Sequence, residues 1–513
     1  MNRKFMIVMA TVAVFLMIGA DFSICASSIE AKDALQTDNA LGVLSELPTE
    51  PAAGDTPIYK DPNAPIEARV EDLLSRMTLE EKMEQMRGTF SGDGYYTNDN
   101  TNLGIPGFKF ADGPEGVKRC GNATLFPVSM VRGSTWDPEL EQMVGEAIGR
   151  ETRAKGENCM LAPCINIIRN PLWGRSKETY SEDSYLIGEM GAAFVVGVQS
   201  QKAMACAKHF AVNNIENTAK INNAVIDERT LREIYLPHFK ACVDAGVASV
   251  MSAYNRVNGV YCSANYHLLR EILKEEWGFD GFVVSDWSAT TPTMLFMAEE
   301  HVLPADFFSN LTALPGQPTD REVLDAGLDV EMPYPALYGP LLEIDANAGL
   351  VPVEKINDAV RRILRHKFEF GLFDNPSPFN ESVVECEEHI STARRAEREG
   401  AVLLKNDNNA LPLDAGSLKS IAVIGPILPP YTESRSSYMV SPLQGIKNRV
   451  GNSITVCYSD GSNADEAAET AKKSDVAIVF AGFTSENEGE NTDRANLALP
   501  EGQPDLINKV ASA

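Results

Sequence analysis

Gly281-Phe282-Val283-Val284-Ser285-Asp286-Trp287 is a short apolar, partly β-branched run that empties into a hydroxyl, a carboxylate and an aromatic ring. An unbroken apolar run of this length predicts a strand covered on both faces, as in a parallel sheet. The same form recurs to either side, at Phe108–Ala111, Met160–Ile165, Ala203–Ala207, Val247–Ala253 and Leu328–Met332. Amphipathic stretches fill the gaps: Pro138–Lys155, Glu182–Gln199, Glu228–Ala245 and Ala264–Trp277. Strands alternating with helices over about 300 residues predict an α/β chain whose residues 65–375 form a (β/α)8-type barrel.

The ends of these runs carry the functional signal. Phe108–Ala111 leads into Asp112, Ala203–Ala207 into Lys208 and His209, and Met251–Ala253 into Tyr254 and Asn255. Phe282–Val284 leads through Ser285 into Asp286 and Trp287. A single polar residue after a strand is usually a turn or a cap. Several in series, mixing acid, base and aromatic groups, favour a site, because the C-terminal strand ends of a barrel converge on one mouth.

Beyond Leu372 the pattern changes. Pro376 and Pro378 open an inter-domain linker, 376–400, with a helical stretch at Glu385–Glu399. A second α/β unit is expected over 401–513, with strands at Ser420–Ile424, Ser453–Val456 and Val476–Ala481 and a helix at Ala464–Lys473. Open sheets commonly have ~4–6 strands, so this partial α/β sandwich domain is expected to be incomplete. Its last strand runs into an acidic loop, Thr484–Arg494, carrying Glu486, Glu488 and Glu490. Alone, such a loop reads as a solvated turn.

Upstream, Arg3 and Lys4 precede the apolar run Phe5–Ala20, the pattern of a secretory signal over residues 1–26. Residues 27–64 read as a linker, and Thr78 with Glu81 as a capping box. The expected location is secreted or periplasmic, with no membrane attachment once the signal is removed. Between Met297 and Asp320 no period is visible, and a lid over the barrel mouth and a disordered insertion are equally weighted.

The 513 residues are 44% hydrophobic and 23% charged, with a formal net charge of −27. Such a surface repels nucleic acid and anionic membranes, whereas a neutral carbohydrate is compatible. The nine cysteines are scattered without metal-ligand spacing, so most are expected to be buried small hydrophobes, with one or two disulfides open. No metal or other cofactor is expected.

Asp286 and the acidic loop together satisfy one chemistry. Glycoside hydrolysis needs one carboxylate that attacks or steers water and another that protonates the leaving oxygen. Asp286 is placed to be a fixed nucleophile, and Trp287 offers a flat face for a sugar ring.

At these residues the chain resembles glycoside hydrolase family 3, the β-glucosidase and β-xylosidase group. The resemblance rests on motifs in order: Leu103-Gly-Ile-Pro106, Ala111-Asp-Gly-Pro-Glu-Gly-Val-Lys118, Trp173-Gly-Arg175 and Tyr180-Ser-Glu-Asp183. Lys208-His-Phe-Ala-Val-Asn-Asn214, Asp227–Tyr235, Val250–Asn255, Trp277–Asp286 and Ala326–Asp329 follow, then Leu403–Asn406, Leu411–Leu413, Asp493-Arg494 and Leu499-Pro500. The resemblance implies a barrel that supplies the nucleophile, at Asp286, and a second domain whose loop supplies the acid/base. Counting back from Asp493-Arg494, Glu488 matches the acid/base, with Glu486 as runner-up. It further implies that Asp112, Arg175, Lys208, His209, Met251 and Tyr254 line the sugar subsite.

The expected activity is a retaining β-glucosidase acting on oligosaccharides or aryl and alkyl β-glycosides. The alternatives are a β-xylosidase or α-arabinofuranosidase of the same family, or a truncated non-catalytic sugar-binding protein. The sequence departs from the family where an arginine usually binds the sugar: Ala219 stands there, with Lys220 beside it.

Overall fold

Five short strands form the wall that carries the site: β1 (Phe110–Asp112), β2 (Cys159–Leu161), β3 (Met204–Phe210), β4 (Ser249–Ser252) and β5 (Phe282–Ser285). They pair in parallel and in chain order. Every residue of β2 to β5 is buried, which suits their mostly apolar composition; β3 runs on beyond the expected Ala203–Ala207 to include Lys208 and His209. The computed structural model describes residues 56–89, 94–291, 317–375, 380–425, 436–484 and 486–513, all within one compact unit, Thr56–Ala513. The signal at 1–26, most of the 27–64 linker, most of the Met297–Asp320 segment, and Pro376 and Pro378 lie outside the described residues.

The expected strand Leu328–Met332 takes part only through isolated parallel bridges, Val284 to Val330 and Glu331 to Arg87. The ring then closes through antiparallel bridges, Gly88 to Thr97 and Tyr96 to Lys109. This departs from a uniformly parallel barrel for a steric reason. The connection between Gly88 and Tyr96 is too short for a crossover helix, which takes a dozen or more residues, so the chain must double back.

Helices cover the outside, including α1 (Pro138–Ala154), α2 (Ser184–Ser200), α3 (Pro237–Asp244), α4 (His267–Glu276) and α5 (Val353–Glu369). Asp137 and Asp183 cap α1 and α2 by accepting the backbone N–H groups of Leu140 and Leu186. Inside, the Phe108 and Phe282 rings stack with centroids 4.6 Å apart. Lys274 on α4 forms a buried ion pair with Asp329 at 2.7 Å, and Asp329 also accepts the N–H of Val283, fixing the start of β5.

The helical stretch expected within the linker forms α6 (Glu387–Gly400), which docks on the barrel. His389 lies 2.7 Å from the Glu151 carboxylate of α1, and the Ser134 hydroxyl donates to the Gly400 carbonyl. After it come three parallel strands in the order β7-β6-β8: β6 (Ser420–Ile424) at the centre, β7 (Thr455–Ser459) and β8 (Val476–Val479) at the sides. Helices α7 (Ala464–Lys472) and α8 (Gln503–Ser512) pack together on them. The described cysteines, from Cys120 to Cys457, are all free thiols.

Candidate active site

Asp286 follows β5 directly, and its backbone is fixed from both sides. Its N–H donates to the Ser252 carbonyl of β4, and its Oδ1 accepts the N–H of Trp287. Its Oδ2 is buried without a hydrogen-bond partner in the protein, with His209 Nε2 at 3.6 Å. Burial and the charge of Glu490 push the Asp286 carboxyl up to about 7, against the opposing pull of Arg175 and Lys208.

The cations are anchored by carboxylates of their own. Lys208 donates to Asp112 at 2.9 Å. Burial works against both charges, but Lys208 and Lys118 hold Asp112 well below the usual carboxylate range, and Asp112 holds Lys208 above the usual lysine range. Arg175 forms a forked pair with Glu178, at 2.8 and 3.1 Å, and its remaining nitrogen lies 3.3 Å from His209 Nε2. Burial, then Arg175 and Lys208, push the His209 imidazole far below its usual range, so it is neutral. Its Nδ1 faces Asn166 Oδ1 at 3.3 Å, which suits an Nδ1–H tautomer with Nε2 accepting from Arg175.

Tyr254 is buried after β4, and its phenol is pushed well above its usual range by burial and then by the charges of Asp286 and Glu490. Met251 is buried within β4 rather than at its end. Trp287 donates its indole N–H to the Gly94 carbonyl and packs on Tyr95, with centroids 4.8 Å apart. Lys220, beside Ala219 at the expected arginine position, is buried with its ammonium 6.0 Å from the Tyr254 ring centroid.

The acidic loop folds back onto the barrel, but its glutamates are not equivalent. Glu488 is buried and ion-paired with Arg494, with Lys177 at 3.9 Å. Glu486 is exposed. Glu490 is the loop carboxylate whose charge is felt at Asp286, Arg175, Tyr254 and Tyr95. Glu488, the position matched from the sequence, is thus occupied with holding an arginine, while Glu490, exposed like Glu486, is the one whose charge acts on the strand-end cluster.

Two other residues escaped the sequence reading. Asn166 grips His209 twice through the backbone, accepting its N–H at 2.9 Å and donating to its carbonyl at 2.8 Å. It is the polar residue after the run Met160–Ile165, so the strand-end rule applied there too would have found it. Glu178 had no such signal, because its value lies in its pairing with Arg175. Among the described residues no cluster of His, Cys, Asp or Glu could hold a metal ion. A cavity of about 410 Å³ lined by Asp99, Lys109, Arg153 and Asn158 opens at the opposite, N-terminal ends of β1 and β2, away from this chemistry.

This geometry can be set against known proteins. The Glycosyl hydrolase family 3 N terminal domain matches residues 78–366, and the Glycosyl hydrolase family 3 C-terminal domain matches residues 401–513. The chain is 37% identical over 474 residues to thermostable beta-glucosidase B of Acetivibrio thermocellus, covering 86% of this chain and 58% of that one. It is 36% identical over 493 residues to a beta-xylosidase of Formosa agariphila, covering 87% and 65%. Among solved structures, the beta-D-glucoside glucohydrolase of Trichoderma reesei superimposes with a TM-score of 0.77 at 29% identity, covering 90% of this chain and 66% of that one. The GH3 beta-glucosidase of Bifidobacterium adolescentis gives 0.74 at 33% identity, covering 86% and 62%. The chain belongs to glycoside hydrolase family 3. It spans about half to two thirds of the length of these curated relatives.

Proposed function

We propose that the protein hydrolyses terminal non-reducing β-D-glycosidic bonds, with β-glucosides as substrates, by retaining double displacement. Asp286 is the nucleophile and Glu490 the acid/base. The observation that carries this reading is the bare, buried Oδ2 of Asp286 beside a neutral imidazole and two cations, under the field of a second carboxylate from another domain.

In the first step Asp286 Oδ2 forms a bond to the anomeric carbon. The bond from that carbon to the aglycone oxygen breaks, and its electron pair takes the Glu490 proton. In the second step Glu490 removes a proton from water, the water oxygen bonds to the anomeric carbon, and Asp286 leaves as carboxylate. Asp112, with all its affinity directed to hydrogen-bond donors, is suited to accept sugar hydroxyls, while Arg175, Lys208 and Lys220 donate. Trp287 and Tyr95 supply the apolar wall. The relatives named as beta-glucosidase and as beta-xylosidase support the same bond type.

Glu490 replaces Glu488 in this role because the Glu488 carboxylate is buried in an ion pair with Arg494, whereas the Glu490 charge acts on Asp286. Proton NMR of the first product from an aryl β-glucoside tests the stereochemistry: β-glucose should appear before the α anomer. Initial release of α-glucose would overturn the double displacement. A panel of nitrophenyl β-glucoside, β-xyloside and α-arabinoside ranks the sugar preference. Export belongs to the same proposal, supported by Arg3, Lys4 and the Phe5–Ala20 run, and N-terminal sequencing of the mature protein checks it.

A further inference from the structure

The loop carrying Glu490 is held to the barrel by a small set of backbone bonds, and one side chain makes most of them. Gly489 and Thr492 exchange both backbone hydrogen bonds, each at 3.1 Å, so Glu490 and Asn491 form the tip of a two-residue hairpin turn. Asn491, the second central residue, takes the left-handed conformation, φ 65°, as a type II turn requires.

At the foot of that hairpin, Asp493 reaches across to the barrel. Its carboxylate accepts the N–H of Gly174 at 3.0 Å, of Glu216 at 3.0 Å and of Asn217 at 2.9 Å, while its own N–H donates to Asn217 Oδ1 at 3.0 Å. The Asn491 N–H adds a bond to Glu216, whose other oxygen takes the Trp173 indole N–H at 2.8 Å. The seat is shaped for this contact: a Cβ on Gly174 would meet the Thr492 carbonyl oxygen at 1.8 Å and that of Gly489 at 2.6 Å. Gly174 and Trp173 immediately precede Arg175, so the clamp closes on the segment that also supplies a site cation.

We infer that Asp493 is the positioning residue that docks the Glu490 hairpin over the barrel mouth, making proton donation to the leaving group depend on a clamp between the two domains. This rests on the reading of Glu490 as the acid/base. It assigns to Asp493 no contact with substrate. Its effect is on where Glu490 stands.

A residue that acts only by placing the acid leaves a particular kinetic signature. Aglycones that depart without a proton do not need it, whereas alkyl aglycones do. The test uses the full chain and compares methyl β-glucoside with 2,4-dinitrophenyl β-glucoside in the wild type, E490A and D493A, with and without azide. D493A is expected to lose about 100-fold in kcat/KM on the alkyl substrate and less than about threefold on the dinitrophenyl one. Azide, which attacks the glycosyl-enzyme without a general base, should accelerate its dinitrophenyl turnover and yield β-glucosyl azide.

Equal losses on both substrates, or no loss on either, would overturn the clamp. If E490A shows the leaving-group dependence and D493A does not, the clamp alone falls. If E490A itself lacks that dependence, the acid assignment and the clamp fall together. Should D493A fail to fold, D493N keeps the shape and one acceptor oxygen. A smaller loss, again confined to the alkyl substrate, supports the clamp, and an equal loss on both substrates overturns it.

Discussion

Asp286 is surrounded by opposed influences, and their balance determines how pH acts on catalysis. Burial and the Glu490 charge raise its carboxyl to about 7, while Arg175 and Lys208 pull the other way. The nucleophile works only as carboxylate, so kcat/KM should fall as pH falls through about 7 and Asp286 takes up a proton. Glu490 holds its proton as the acid, so the acid limb belongs to Asp286 alone. E490Q should therefore keep that limb, read on 2,4-dinitrophenyl β-glucoside so that the missing acid does not mask it. An acid limb that disappears in E490Q would show that it belongs to Glu490 instead. At this scale the sequence was informative where the barrel does the placing. Asp112 ends β1, Lys208 and His209 lie near the C-terminal end of β3, and Tyr254 and Asp286 follow β4 and β5, and strand ends meet at one mouth. Glu490 was not legible in that way. Three glutamates within five positions differ only in what the folded loop places around each of them, and counting from Asp493 does not encode that.

Among the elements, apolar periodicity found β1 to β5 and the helices α1 and α2, because each buries a face that its composition must hide, but β2 stops at Leu161, short of the expected Ile165, and β3 runs on past Ala207 to Phe210. The Tyr96–Thr97 segment was missed because its course is imposed by the length of its connection rather than by its own residues. Two substitutions examine how elements are joined. Asp329→Ala strips the partner from a buried lysine on α4 and a bond from the start of β5, and should cost about 3–5 kcal/mol in urea unfolding. A change below about 1 kcal/mol would mean that the pair is not needed to hold α4. Gly174→Ala places a methyl group against the Thr492 carbonyl and should lift the hairpin. Activity on methyl β-glucoside is expected to drop about 100-fold while the melting temperature moves by only a few degrees. Unchanged activity would mean that the hairpin reaches its working position without this contact.

For the whole molecule, the site is composite. In the proposed reading the barrel supplies the nucleophile and the cations, and the hairpin from the second domain supplies the second carboxylate; α6, which leads into that domain, is docked on the barrel through Glu151 and Ser134. The composition and the charge of −27 spoke only to what such a surface repels, and the two-domain division was visible in the change of register after Leu372. The docking between the domains was not, since it is made mainly by backbone groups of Leu172, Gly174, Glu216 and Asn217, which leave no mark on side-chain pattern. The central claim is covalent: the anomeric carbon is transferred to Asp286. Incubation with 2-deoxy-2-fluoro-β-glucosyl fluoride, followed by proteolysis and mass spectrometry, tests it most directly. Time-dependent inactivation is expected, with one fluoroglucosyl group on the peptide containing Asp286, and none in D286A. A label on any other residue, or inactivation with no covalent adduct, would contradict it.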